Sequence, residues 1–417
     1  MTATDPTAPG APPIPATGAR EADDAPAKRA VGILVWCQAV LGAMMPVHMI
    51  TGTLAGATLT TNQSLATLPI AMMIAGSALT APVLSALMAR FGRRPGFIGA
   101  ALVGAGANAG AVMAIEAHSF LGFCLASAAL GVYFAANHLY RFAAADLASP
   151  AFRPKAISWV MAGGLVAAVL GPKIVRQFGD AWAPVPFAGA YAVMACVALV
   201  GLLPLFALDI PPPRRRATGG RRPGRPLRQL LADRGIAVPM LCAMVSYALM
   251  TLMMTATPLA MAACGFGTGD SAGVVRAHVL AMYAPSFFTG ALVARFGAPT
   301  LIAAGLACLA GAGGIALTGV GIEQFYGALI LLGLGWNFGF IGATAMLTEN
   351  TPSEERERVQ GLNDGAVMGF VLFASLSSGV LLDQVGWHAV QAAMLPLVTL
   401  AAGVLAWSLL SRRAQTA

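Results

Sequence analysis

Charge is what this 417-residue chain has least of: Asp, Glu, Lys and Arg together make up 10% of it. A soluble protein needs roughly a quarter of its residues charged to keep its surface in water. With 58% hydrophobic residues and a mean hydropathy of +0.75, this chain requires lipid as its solvent. Cysteine is sparse as well. Cys37, Cys124, Cys196, Cys242, Cys264 and Cys308 fall in or beside apolar stretches at no paired spacing. That excludes a disulfide framework and a thiolate metal site, and the six read as small buried hydrophobes. No Asp-rich motif, HExxH or Cys-His set occurs, so no metal, no cofactor and no enzyme activity is expected; a membrane-embedded transferase would need such clusters. The one acidic cluster, Glu354-Glu355-Arg356-Glu357, reads as mixed charge in a solvated turn.

What the chain does contain is a series of apolar segments of membrane-spanning length. Hydropathy places them at 31–54, 64–88, 96–116, 119–142, 156–177 and 184–207, then at 236–262, 273–294, 299–320, 323–348, 359–382 and 388–410. The ends are fixed to about three residues. With a cytoplasmic N-terminus, 22 of the 25 Lys and Arg fall on the inner side, and only Lys173, Arg176 and Arg276 fall outside. This asymmetry is the positive-inside rule, which requires an even number of spans and both termini in the cytoplasm. The net charge of +8 is therefore topological, and no nucleic-acid partner is expected.

The organisation reads as a disordered tail (1–29), a six-helix bundle (30–208), a basic linker (209–235), a second bundle (236–411) and a short tail (412–417). Residues 1–27 lack the apolar core of a signal peptide. Within the linker, Pro226–Asp233 has the pattern of a short basic amphipathic helix on the anionic leaflet, with a plain flexible linker as the alternative.

The heptapeptide Ala86-Leu87-Met88-Ala89-Arg90-Phe91-Gly92 returns as Ala291-Leu292-Val293-Ala294-Arg295-Phe296-Gly297, 205 residues later (291 − 86). Each copy ends an apolar stretch with arginine and glycine. A repeat of half the chain length built from spans is the pattern of duplicated secondary transporters. A weaker match aligns Leu130-Gly131-Val132-Tyr133-Phe134 with Leu334-Gly335-Trp336-Asn337-Phe338.

The first copy, continued through Arg93-Arg94, resembles the signature loop of the major facilitator superfamily, Gly-x-Leu-Ala-Asp-Arg-x-Gly-Arg-Arg between spans two and three. Leu87, Arg90, Gly92, Arg93 and Arg94 match; Ser85 replaces the first glycine and Ala89 the aspartate. The second copy matches at Gly290, Leu292, Arg295 and Gly297, again with alanine, Ala294, at the acidic position. The resemblance implies an all-α membrane protein of twelve transmembrane helices in two pseudo-symmetric bundles, working by alternating access. It also implies gating roles for Arg90, Arg93, Arg94 and Arg295. In the family the aspartate belongs to a network that latches the cytoplasmic side, and here that latch lacks its acid. Gly163-Gly164 and Gly171-Pro172 in span five partly resemble an antiporter motif. Gly361, Gly365 and Gly369 in span eleven form a stripe that permits close helix approach.

The resemblance also implies that spans one, four, seven and ten line a central cavity. Polar stripes there place candidate substrate contacts at His48, Asn137, Tyr247, Trp336 and Asn337, because polar groups facing hydrocarbon are expensive. The bland alternatives are a satisfied core histidine at His48 and helix-joining amides at Asn137 and Asn337. None of the 17 Asp and Glu lies in mid-membrane, so proton coupling would rest on His48, on His138 near the inner end or on Asp364 at the start of span eleven. Otherwise the protein is a facilitator. The missing counter-charge disfavours a multiply cationic substrate and favours a neutral, aromatic or anionic one. Lys173, Arg176 and Arg276 could form an outer collar for an anion, with headgroup anchoring as the favoured alternative. The function expected is secondary transport of a small organic solute by a monomer in the bacterial inner membrane, with lipids and protons as further partners. A sensor that binds without translocating is the rival, and both import and export fit the sequence.

Overall fold

The computed structural model describes residues 25–149, 152–210, 225–352 and 355–416. Most of the expected N-terminal tail (1–24) and linker (211–224) lies outside the described residues. Among the described residues the elements are all helical. The first span is α1 (Ala25–Val40) and α2 (Met44–Leu59), joined by a 3-10 turn at Leu41–Ala43. Pro46 accounts for the interruption: it has no N–H for the Gly42 carbonyl and its ring crowds that turn. Then follow α3 (Leu68–Phe91), α4 (Arg93–Glu116), α5 (Phe120–Leu147), α6 (Arg153–Phe178) and α7 (Ala188–Gly201).

A short α8 (Leu227–Ala232) leads into α9 (Arg234–Ala263). The next span is broken into α10 (Thr268–Tyr283) and α11 (Ser286–Phe296), which meet at 43° around Pro285. The last four are α12 (Ala298–Leu317), α13 (Ile322–Asn350), α14 (Arg356–Gln384) and α15 (Trp387–Thr416). Eleven helices are long and apolar enough to cross a bilayer, twelve when the bent pair counts as one span. Every expected span is present, but several overrun their hydropathy limits. The first begins at Ala25 and the last runs to Thr416, because a helix continues past the point where its side chains turn polar. A belt of exposed apolar side chains, such as Leu79, Leu121 and Phe373, rings the outside.

The two arginine turns are built alike. Gly92 and Gly297 have φ of 95° and 83°, a region costly for any residue with a Cβ. Their N–H groups donate to the carbonyls of Met88 (2.9 Å) and Val293 (2.8 Å). Arg90 lies 5.1 Å over the Phe91 ring, and Arg295 lies 5.1 Å over Phe296. The inner helix contacts repeat as well. A Cβ on Gly131 would stand 2.5 Å from the Ser77 nitrogen, and one on Gly333 would stand 2.6 Å from the His278 oxygen and 3.0 Å from the Met282 nitrogen. Since 77 + 205 = 282, the counterpart of Gly131 is Gly333, and the alignment expected with Gly335 shifts by two residues.

Three sequence expectations need correction. A Cβ on Gly361, Gly365 or Gly369 would meet nothing within 4 Å, so no helix uses that stripe in this conformation. Of the cysteines only Cys37, Cys124 and Cys242 are buried; Cys196 is exposed on the outward face of α7, and Cys264 is exposed in the turn that ends α9. Glu355 is not merely solvated. Its carboxylate accepts from Arg225 Nε (2.9 Å) and Nη2 (2.7 Å), while Arg225 Nη1 donates to Asp233 (2.9 Å). These bonds hold the Glu355 carboxyl below the usual range. The segment expected as a surface helix does form α8, and it docks on the protein. Leu230 is fully buried among Ile236, Met240, Leu347 and Val359.

Packing is densest within 25–208 and within 227–416, and the halves meet through α6 with α10, α3 with α14, and α2 with α9. On the face opposite the arginine turns they are sewn together. Ser64 donates to Asp383, Gln384 Nε2 donates to Ser64 (3.2 Å), and Thr67 donates to the Ser375 carbonyl (3.2 Å). The parts of α3 and α14 nearer the arginine turns instead stand on either side of a cavity.

Candidate functional site

That cavity encloses about 420 Å³ between the two halves. Its wall comes from α1, α2, α3, α5, α6, α9, α10, α13 and α14, and not from α4, α7, α12 or α15. Spans one, four, seven and ten therefore line it as expected, joined by spans two, five, eight and eleven. At the arginine-turn end its lining residues Ser85, Phe142 and Asp364 are exposed, whereas Met254 and Thr255 at the other end are buried. The space therefore opens toward the arginine turns and closes toward the sewn face.

One wall is aromatic. Trp336 and Phe340, one helical turn apart on α13, lie 13° from parallel with centroids 5.5 Å apart. Tyr247 of α9 stands edge-on to both, at 5.5 and 5.3 Å, and Tyr283 of α10 stands edge-on to Trp336 at 6.2 Å. The Trp336 indole nitrogen is buried with no partner among the described residues. Methionines from five helices (Met45, Met161, Met250, Met282 and Met368) complete the apolar lining, and their flexible thioethers adapt to ligand shape. The facing wall carries polar groups among apolar ones. Gln38 and Asn137 flank Gly42, and Asn137 Nδ2 makes only a long 3.4 Å contact to the Tyr133 hydroxyl, so most of its bonding capacity is uncommitted.

The candidates from sequence divide cleanly. Asn137, Tyr247, Trp336, His138 and Asp364 all line the cavity. His48 does not: its Nδ1 is 2.8 Å from the Tyr191 hydroxyl, and its ring packs against Phe123 and Tyr191 in the core near the sewn face. Asn337 does not either. It is fully buried, donating to the Met282 carbonyl (2.6 Å) and the Ser286 hydroxyl (2.7 Å) and accepting from Thr289 (2.7 Å). The break at Pro285 frees polar groups there, and Asn337 satisfies them; consecutive helical residues point about 100° apart, so Trp336 faces the cavity and Asn337 the α10–α11 corner.

Of the gating candidates, Arg93 pairs with Asp146 of its own half, and Arg90 and Arg295 stack on their neighbouring phenylalanines. Arg94 is exposed. Among the described residues none of the four bonds to the opposite half. The charges that do face each other across the cavity are Arg141 of α5 and Asp364 of α14. Lys173, Arg176 and Arg276 are exposed and off the cavity wall. Sequence reasoning missed His278 on α10, which lines the cavity while fully buried. A lone histidine inside an apolar span was the available signal.

The sequence profile of the Major Facilitator Superfamily matches residues 30–341 and 240–417. The chain is 41% identical over 378 residues to the riboflavin transporter RfnT of Brucella anthropi, covering 91% of this chain and 95% of that protein. It is 30% identical to YddS of Bacillus subtilis, an uncharacterised MFS-type transporter, over 81% of each. Among solved structures, the nucleoside transporter NupG superposes with a TM-score of 0.67 at 15% identity, covering 92% of this chain and 98% of that one. The POT family transporter PepTSo gives 0.68 at 13%, covering 93% and 98%. Likeness at such identities is likeness of fold.

Proposed function

The chain belongs to the major facilitator superfamily, a family of membrane transporters, and from that premise we propose that it carries riboflavin or a closely similar planar heteroaromatic solute across the bacterial inner membrane. The observation that carries this reading is the aromatic wall of Trp336, Phe340, Tyr247 and Tyr283 in a cavity of about 420 Å³. A flat heterocycle needs π-faces to stack on and polar groups for its edge and side chain. Stacking on an aromatic side chain contributes about 1–3 kcal/mol per base in nucleic-acid complexes, a fair scale for a flavin ring. Asn137, Gln38 and Thr251 supply hydrogen-bonding groups for a hydroxylated chain.

In this proposal the bundles 30–208 and 236–411 rock about the cavity in alternating access, and both termini are cytoplasmic. The conformation described is then the inward-open one. Its outer seal is the Ser64–Asp383 and Thr67–Ser375 contacts. Inner closure brings Arg141 and Asp364 together, an ion pair in place of the family latch that Ala89 and Ala294 remove. His138 and Asp364, the ionisable groups near the cavity mouth, are where we place any proton coupling. The 41% identical relative, a riboflavin transporter by name, supports this substrate class.

Counterflow in proteoliposomes tests the reading. Vesicles loaded with unlabelled riboflavin should transiently accumulate labelled riboflavin. Binding in detergent without counterflow would make the protein a receptor, and neither would remove the substrate.

A further inference from the structure

We infer that His278 is a specificity-determining residue that accepts a hydrogen bond from a ring N–H of the transported heterocycle. This rests on the substrate reading above and adds to it the polar group that reads the ring's edge. His278 is fully buried on α10 and forms part of the cavity wall. Its Nδ1 lies 2.8 Å from the carbonyl oxygen of Leu329 on α13. A carbonyl offers only lone pairs, so Nδ1 must carry the proton of that bond. In the neutral ring Nε2 is then a lone-pair acceptor. That atom has no hydrogen-bond partner among the described residues.

The arrangement is held rigidly. The Gly333 backbone packs directly on His278 and Met282, which brings α13 close enough for the Leu329 carbonyl to reach the ring. A histidine set by a backbone carbonyl keeps one tautomer, and so one polarity at Nε2, an atom covered in this ligand-free conformation that an entering ring must uncover to reach. The aromatic wall holds rings of any edge chemistry, since every such ring has a π-face. A fixed acceptor discriminates. It favours a ring bearing an N–H donor, as in the imide of a flavin, and disfavours the same ring methylated at that nitrogen, because a buried polar group left unpaired is costly.

His48 sharpens the point by contrast. It is equally buried and its Nδ1 is also occupied, but it packs among Phe123 and Tyr191 away from the cavity. It has no ligand to meet.

The test uses purified full-length protein and quenching of flavin fluorescence, with riboflavin and its N3-methyl derivative as probes. Wild type should bind riboflavin about tenfold more tightly than the methylated flavin, the worth of one hydrogen bond. His278→Ala should bind the two alike. His278→Gln, which places an amide oxygen where Nε2 stands, should recover part of the preference. Equal binding of both probes by wild type, or a preference retained in His278→Ala, overturns the inference while riboflavin binding itself leaves the substrate reading standing. Absence of riboflavin binding by folded wild type overturns both.

Discussion

At the arginine turns the two halves are near copies. Each has a left-handed glycine, an arginine 5.1 Å over the next phenylalanine, and a glycine on the fourth span of its half against the backbone of the second. On the cavity wall they differ. The second half contributes the clustered rings of Tyr247, Tyr283, Trp336 and Phe340 with His278 and Asp364; the first contributes Gln38, Asn137, His138 and Arg141, the separate rings of Phe134 and Phe142, and small residues of α3. Duplication has kept what holds helices together, where a backbone contact tolerates one side chain only. It has not kept the solute-facing positions, where each half meets a different part of one asymmetric ligand. Asymmetry between the copies therefore marks the site, and symmetry marks the scaffold.

If that division holds, equivalent scaffold changes must act equally. Gly131→Val and Gly333→Val each push a side chain into a neighbouring helix backbone, where overpacking exceeds the usual cost of about 1–3 kcal/mol. Both should lose folded protein on size-exclusion chromatography after solubilisation; loss in one half alone would break the comparison. Asn337→Ala comes next. It removes the donor to the Met282 carbonyl and the Ser286 hydroxyl, while the Thr289 hydroxyl keeps the Pro285 carbonyl; the loss costs about 1–3 kcal/mol, so thermal unfolding should move down while riboflavin affinity of the folded protein is unchanged. At its neighbour Trp336, which is buried against Tyr247, Tyr283 and Phe340, replacement by alanine should lower affinity as well as stability, and phenylalanine should retain most of both.

Asn137→Ala, on the first-half wall, should weaken riboflavin binding by about three- to tenfold, one neutral hydrogen bond, as read by titration. The smallest effect is expected at the linker clamp. Arg225 holds the Glu355 carboxyl below its ordinary value of about 4.3, so the clamp stabilises the protein above that pH and loses its effect as pH falls through the lowered value. Arg225→Ala should lower the unfolding temperature at pH 7, and the gap to wild type should narrow as pH falls below the ordinary value and close below the lowered one.

The fold was legible because its determinants are local. Apolar length gave the twelve spans, and the repeated Arg-Phe-Gly turn gave the duplication. The site was half legible. Asn137, Tyr247 and Trp336 were reached through helical spacing on spans implied to be central. Asn337 was misplaced because composition cannot tell a polar residue facing a cavity from one repairing a broken helix, and the break at Pro285 is itself a tertiary feature. His48 failed for the same reason: Tyr191, its partner, lies 143 residues away. His278 lies on span eight, outside the four spans that the resemblance makes central, whereas eight wall the cavity.

The most direct test of the central claim is riboflavin affinity, by fluorescence quenching, for wild type, Trp336→Ala and Trp336→Phe. A stacking wall predicts a loss of tenfold or more for alanine, from about 1–3 kcal/mol, and affinity within about threefold of wild type for phenylalanine. Alanine binding as tightly as wild type, in folded protein, would contradict the account.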